Sequence, residues 1–252
     1  MRVTFVSHPK WQHAGSTILR SIQMAEFCGK HIPVHTFTHQ THLDVKDSVV
    51  ILHKFWLPLV SQKELKTLRD NNVVVADPID GYCPIETDYQ WSIHSQQKGH
   101  YITHLVDTRI PRSMETPKEF SIGYYGTLSN TIAPEGVQCV SCYEQGVGIL
   151  SKFSAHYTLR QNVREAYKPP LKIWTAAVCG VPVLTSMDND VPLYLNDYRY
   201  TARNVDEARI VLNQMKKEFL SDKWEEARAQ VKATYSDERV IKDVKGFLDG
   251  IA

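Results

Sequence analysis

The feature that most constrains the fold is a pair of short, unbroken apolar runs with one helix-like stretch between them. SVVILHKF (residues 48–55) is apolar without alternation, and VVVADP (residues 73–78) repeats the pattern. A strand wet on one face alternates, whereas an unbroken run asks for burial on both faces. Between them lies SQKELKTLRDNN, where Ser61 followed three residues later by Glu64 forms a capping box. Strand, exposed helix, strand is the unit of a parallel sheet with right-handed crossovers.

The pattern extends both ways. VTFVS predicts a first strand, and HAGSTILRSIQMAEFCGK predicts a helix capped by Ser16, with Ile18, Leu19, Ile22 and Ala25 on one face and Gly29 at its end. IPVHTF predicts the second strand and HYITHLVD the fifth. TRIPRSMETPKEF (residues 108–120) breaks the periodicity with two prolines and many polar residues, and reads as a linker. The pattern then restarts with SIGYYGTLSN, strand-like GVGIL and SAHYTL, and YKPPLKIWTAAVCGVPVLTS, which reads as loop, helix, glycine stop and buried strand. RYTARNVDEARIVLNQMKKEFL supplies a strand end and a helix, and the tail predicts two helices divided near Ser236. The expected fold class is α/β, with two Rossmann-like domains facing across a cleft in a compact arrangement. The expected boundaries are 1–112, 113–235 and a C-terminal helix, 236–252, that crosses back to the first domain.

Net charge is +1 over 252 residues, so no global field draws the chain to nucleic acid or anionic membrane. Five cysteines, an odd number, do not make a disulfide framework, which points to a reducing, cytoplasmic setting. Cys139 and Cys142 form a lone CxxC with no partner ligands at metal spacing, so no metal or cofactor is expected. The N-terminal apolar run is too short for a signal peptide, and no run is long enough to span a bilayer.

Lys168 and Lys172 open the helix of residues 168–180. Cations at a helix N-terminus cost roughly 0.3–1 kcal/mol, and like charges four apart cost roughly 0.2–0.5 kcal/mol more. A bound anion offsets both, and a nucleotide diphosphate has the right charge. Pro169 and Pro170 suit the start of such a helix. Thr175 stands one turn on, and Arg160, at the end of SAHYTL, suits bidentate phosphate oxygens. Gly126 and Thr127 follow the first strand of the second domain, where glycine permits close backbone approach. Gly15 and Ser16 hold the matching place in the first domain.

Two stretches carry a family resemblance. IGYYGTLS resembles the opening strand and turn of the C-terminal domain of GT-B glycosyltransferases. KPPLKIWTAAVCGVPVLTS resembles their KP-x-x-K-x-x-x-A-x-x-x-G-x-PV segment. The pair of glutamates eight apart that many retaining members carry is not present there. The resemblance implies transfer of a sugar from a nucleotide-sugar donor to a saccharide or glycoconjugate acceptor without an obligatory metal. The donor would lie on Gly15, Ser16, Gly126, Thr127, Arg160, Lys168, Lys172 and Thr175. Asp80, just past VVVA, and His104 are the candidates for deprotonating the acceptor hydroxyl. Trp11 and Trp56 are the candidates for acceptor stacking. Three alternatives stand beside this reading: a non-catalytic nucleotide- or glycan-binding module, a nucleotide-sugar epimerase, and a transferase acting on DNA bases, the last disfavoured by the near-zero net charge.

Overall fold

The computed structural model describes residues 1–79, 81–94, 97–112, 117–126, 128–140, 148–159, 170–186 and 194–251. The chain forms two compact units. Unit one holds Met1–Leu105 together with the C-terminal stretch from Asp237; unit two holds the described residues between Val106 and Ser236. Each has its own parallel sheet.

The sheet of unit one runs in the order β2-β1-β3-β4-β5-β6. Its strands are β1 (Arg2–Val6), β2 (Thr36–Gln40), β3 (Val49–His53), β4 (Val73–Asp77), β5 (Tyr89–Ser92) and β6 (His100–Tyr101). β3 is buried at all five positions, as its unbroken apolar run requires. Helix α2 (Gln62–Asn71) joins β3 to β4 and carries the expected box: the Ser61 hydroxyl accepts from the Glu64 amide, and Glu64 accepts from the Ser61 amide.

Helix α1 differs from expectation. It starts at Gly15 with Ala14 as its cap, so Ser16 lies inside the first turn. Gly15–Thr17 leads into a wide π-type turn over Ile18–Ile22 and then a regular helix over Gln23–His31. Gly29 does not stop it. The helix ends where the buried Ile32 donates its amide to the Cys28 carbonyl, which delays the second strand to Thr36.

The π-type turn turns Arg20 inward to full burial. Its guanidinium grips the Asp77 carboxylate at 2.8 and 3.4 Å and donates to the carbonyls of Ile102 and Thr103 at 3.3 and 3.4 Å. Its plane also lies over the Trp91 ring, 5.2 Å from the centroid. These bonds, with Asp243 accepting from the Thr103 amide and hydroxyl at 2.9 and 2.6 Å, take the place of a strand ladder. The fifth strand expected over residues 100–107 is therefore only two residues long in the structure, as β6, and β5 is an additional strand.

In unit two the order is β10-β9-β7-β8, from β7 (Ile122–Tyr125), β8 (Val137–Val140), β9 (Ala155–Tyr157) and β10 (Val183–Leu184). β8 replaces the strand expected over GVGIL, of which Gly148–Leu150 is helical. Helix α3 (Leu171–Cys179) is buried along most of its length and stops at Gly180, whose φ of 67° is the left-handed cap expected of glycine. Trp174 is a core residue. Helices α4 (Val205–Glu218) and α5 (Asp222–Lys232) follow, capped by Asn204 and Ser221. Arg112 donates to the carbonyls of Val106, Asp107 and Ile110, which ties the expected linker's start to unit two.

Helix α6 (Asp237–Ile251) belongs to unit one. Its Phe247 packs edge-on against Tyr89, Trp91 and His100, and Val240, Val244 and Leu248 are fully buried. Among the described residues no helix is long and apolar enough to cross a membrane.

Candidate functional site

An open parallel sheet binds ligands beyond the C-terminal ends of its strands, where the strand order reverses. In unit two the chain goes from β7 outward to β8, then returns to place β9 on the other side of β7. The switch point is therefore between β7 and β9, and Gly126 is the first residue past β7. Gly126 has φ of +129°, a conformation that side chains rarely adopt, and donates its amide to the Val140 carbonyl at 3.0 Å.

Helix α3 lies between β9 and β10 in sequence and brings Lys172 to the same place. Its cap residue, Pro170, has no side-chain group to accept from the first-turn amides. The Lys172 ammonium lies 3.6 Å from the centre of the Tyr124 ring and 5.7 Å from that of Tyr125. It would stand 3.4 Å from a Cβ built at Gly126. The lysine and the glycine, 46 positions apart in sequence, are thus direct neighbours. Cys139 is also within reach of this charge: burial pushes its thiol up, and Lys172 opposes that.

Thr175 is placed differently from the expectation. It is buried, and its hydroxyl donates to the Leu171 carbonyl at 2.8 Å. Burial pushes the nearby Tyr125 phenol far up, and Thr175 opposes that shift. Thr175 is a packing residue beneath the site, not a group at its surface. Thr127, Arg160 and Lys168 lie outside the described residues, as do Asp80 and Cys142.

In unit one, Gly15 and Ser16 are half-buried in the first turn of α1, and a Cβ at Gly15 would meet nothing. His104 is buried, with Nδ1 2.9 Å from the Leu105 carbonyl, to which it donates. Asp77, the last residue of β4, is the buried partner of Arg20. Burial pushes its carboxyl up, and Arg20 opposes the shift. Arg20 itself carried no sequence signal, because a charged residue in an amphipathic helix reads as solvent-facing. Among the described residues no group of three or more histidines, cysteines or acids is close enough to hold a metal ion.

No protein-family model and no curated protein matches the sequence. Solved structures do match. An α1,3-fucosyltransferase solved with GDP-fucose aligns over 99% of this chain and 90% of its own at a TM-score of 0.56 and 10% identity. A DNA-modifying β-glucosyltransferase, solved with and without uridine diphosphoglucose, aligns over 100% and 99% at 0.60 and 9% identity. The fold is GT-B-like. TarM adds a partial match, 82% of this chain and 55% of its own, at 0.53 and 12% identity. At these identities the likeness concerns the fold: the GT-B-like chain carries its Gly126–Lys172 pair at the switch point of its second parallel sheet.

Proposed function

We propose that this chain is a glycosyltransferase that moves a sugar from a nucleotide-sugar donor to a hydroxyl of a saccharide or glycoconjugate. The observation that carries the reading is the position of Lys172 against Gly126 at the β7/β9 switch point. Glycine leaves room for a diphosphate to approach the backbone, and the ammonium meets its charge. In the reaction the bond from the sugar's anomeric carbon to the diphosphate oxygen breaks, and a bond from that carbon to the acceptor oxygen forms. The acceptor proton passes to a base, for which Asp80 is the candidate, with His104 the second. Lys172, with Lys168 and Arg160, offsets the charge that grows on the departing diphosphate, a contribution that can dominate catalysis. In this reading side chains rather than a metal do so.

The test is calorimetric titration of UDP and GDP together with transfer from labelled UDP-glucose and GDP-fucose. The expected result for Lys172→Ala is at least tenfold weaker binding and a comparable loss of turnover, whereas unchanged binding and turnover overturn the reading. A second reading is a nucleotide-binding module without transfer, favoured by the burial of His104 and the engagement of its Nδ1. Binding that depends on Lys172 but yields neither transfer nor hydrolysis selects it.

A further inference from the structure

The order β2-β1-β3 also reverses direction in unit one, between β1 and β3, so the first sheet has a ligand end of its own. The loop that leaves β1 there, residues 7–14, leads into α1 and carries the exposed Trp11. Trp11 stacks on Phe55 of the loop after β3, centroids 5.0 Å apart and planes 22° apart. A chain of three side chains ties the loop to the sheet: Gln12 and Ser7 of the loop, and His39 of β2.

The direction of each bond in this chain is fixed. The Gln12 side chain meets the His8 carbonyl at 2.8 Å, and a carbonyl only accepts, so the atom there is Nε2 and it donates. Its second hydrogen goes to the Ser7 hydroxyl at 2.9 Å. Ser7 is fully buried, and among the described residues the other partner of its hydroxyl is His39 Nε2 at 2.7 Å. The Ser7 proton therefore goes to His39, and Nε2 carries none. His39 is neutral in this arrangement, with its own proton on Nδ1.

A second proton on the ring reverses the last bond. Nε2–H then donates to Ser7, whose oxygen receives that hydrogen and Gln12's together, and the Ser7 proton is left without an acceptor. An unmade bond on a buried hydroxyl is costly. The Gln12 amide relieves it by turning over to offer Oε1 to Ser7, and in doing so leaves the His8 carbonyl. That carbonyl also accepts from the Trp11 amide at 3.0 Å, closing the turn Pro9–Trp11. The brace on the loop is thus conditional on a neutral His39.

Phe37 and His39 lie on the face of β2 that α1 covers, where a Cβ built at Gly29 would stand 3.8 Å from that of Phe37. Glu26, one turn earlier on α1, favours the charged ring, whereas burial disfavours it more strongly and holds the His39 pKa below its ordinary 6.5. The other titratable groups on the surrounding elements are Lys30 and His31 on α1, His8, Lys10 and His13 in the loop, and His35 and His42 on either side of β2. His8 also serves the loop, since its Nδ1 accepts from the Lys10 amide at 3.2 Å. The unfolded chain takes up the His39 proton at the ordinary value and the folded one only at lower pH. The brace is therefore whole at neutral pH and is lost as the pH falls below about 6.5 and through the folded value.

From this geometry we propose that Gln12, Ser7 and His39 form a pH latch on the ligand end of unit one. The 7–14 loop is held closed while His39 is neutral and is released in acid, which frees Trp11 from Phe55. The latch does not depend on the glycosyltransferase reading, because it needs only the loop, β1 and β2.

Hydrogen exchange of the full chain tests it, with rates corrected for the intrinsic effect of pH. The Trp11 and Ala14 amides, bonded to the His8 and Trp11 carbonyls, report on the loop. The amides of Val3 to Val6 in β1 report on unit one as a whole. Between pH 7.5 and pH 5 the loop amides should lose protection at least fivefold relative to the β1 amides. The loss should persist in His8→Asn, which keeps a cap acceptor but does not titrate. It should vanish in His39→Gln, whose Oε1 can take the Ser7 proton at either pH. Ser7→Ala should leave the loop loose at both pH values, which keeps the test decisive if His39→Gln does not fold. A parent loop indifferent to pH, a loss that survives in His39→Gln, or unchanged protection in Ser7→Ala overturns the latch. A loss abolished in His8→Asn overturns it in favour of His8.

Discussion

At position 126 a Cβ would stand 3.3 Å from the Tyr124 hydroxyl and 3.4 Å from the Lys172 ammonium, on a backbone with φ of +129°. Gly126→Ala therefore has two consequences that measurement separates. The strained backbone costs about 1–3 kcal/mol of stability, read by urea unfolding. The added methyl also takes up space at the turn's backbone, in contact with the Lys172 ammonium, so UDP or GDP affinity should fall. Nucleotide affinity equal to the parent's in Gly126→Ala would mean that the turn does not face the ligand. At this scale the sequence was uneven in what it revealed. Gly126 and Lys172 each stood out in local context, a lone glycine after a strand and a cation where a helix disfavours one, and the structure makes them neighbours. Thr175 was misleading, since its hydroxyl serves its own helix. Arg20 was silent, because only the π-type turn directs it inward to Asp77 and the Ile102 and Thr103 carbonyls.

Among the elements, β9 carries a titration. His156 is fully buried in that strand, its Nδ1 has no hydrogen-bond partner among the described residues, and burial lowers its pKa to about 4. An unfolded chain holds that proton from the ordinary value of about 6.5 downward. Between pH 6.5 and 4 the unfolded state therefore binds the proton and the folded state does not. Stability falls as pH falls, by about 2 kcal/mol at pH 5 and about 3 kcal/mol at pH 4. Urea unfolding of the parent chain and of His156→Phe at pH 7 and pH 5 checks this: the variant should lose about 2 kcal/mol less between the two pH values. Equal losses would place the titration elsewhere. The elements also show what periodicity could and could not deliver. β3, α2 and α3 were legible because burial pattern, capping box and glycine stop agree. The end of α1 was not, because Gly29 does not stop the helix and the chain runs on to the Cys28–Ile32 bond, nor was the extent of β6, which is decided by groups distant in sequence. Arg20 and Asp243 take the backbone groups that a longer β6 would have used.

Across the whole molecule, unit one is assembled from both ends of the chain, with unit two's residues inserted between them. Helix α6 brings Val240, Val244, Phe247 and Leu248 into unit one's interior, and its Asp243 holds the Thr103 amide and hydroxyl. Burying four such side chains contributes roughly 1.5–3 kcal/mol each, a total comparable to the entire stability of a typical domain, about 5–15 kcal/mol. A chain ending at Tyr235 should therefore lose unit one's cooperative structure. Unit two keeps all its strands and helices α3 to α5 in that truncation. Hydrogen exchange should show β1, β3 and β4 exposed while β7, β9 and α3 stay protected. Binding of UDP or GDP should survive within about threefold if the Gly126–Lys172 site draws on unit two alone. Ligand binding should then raise the melting temperature of the remaining unit by mass action. Protected β3 and β4 amides in the truncated chain would show that α6 is dispensable to unit one. Abolished nucleotide binding with β7 and α3 still protected would show instead that the donor site requires residues of unit one.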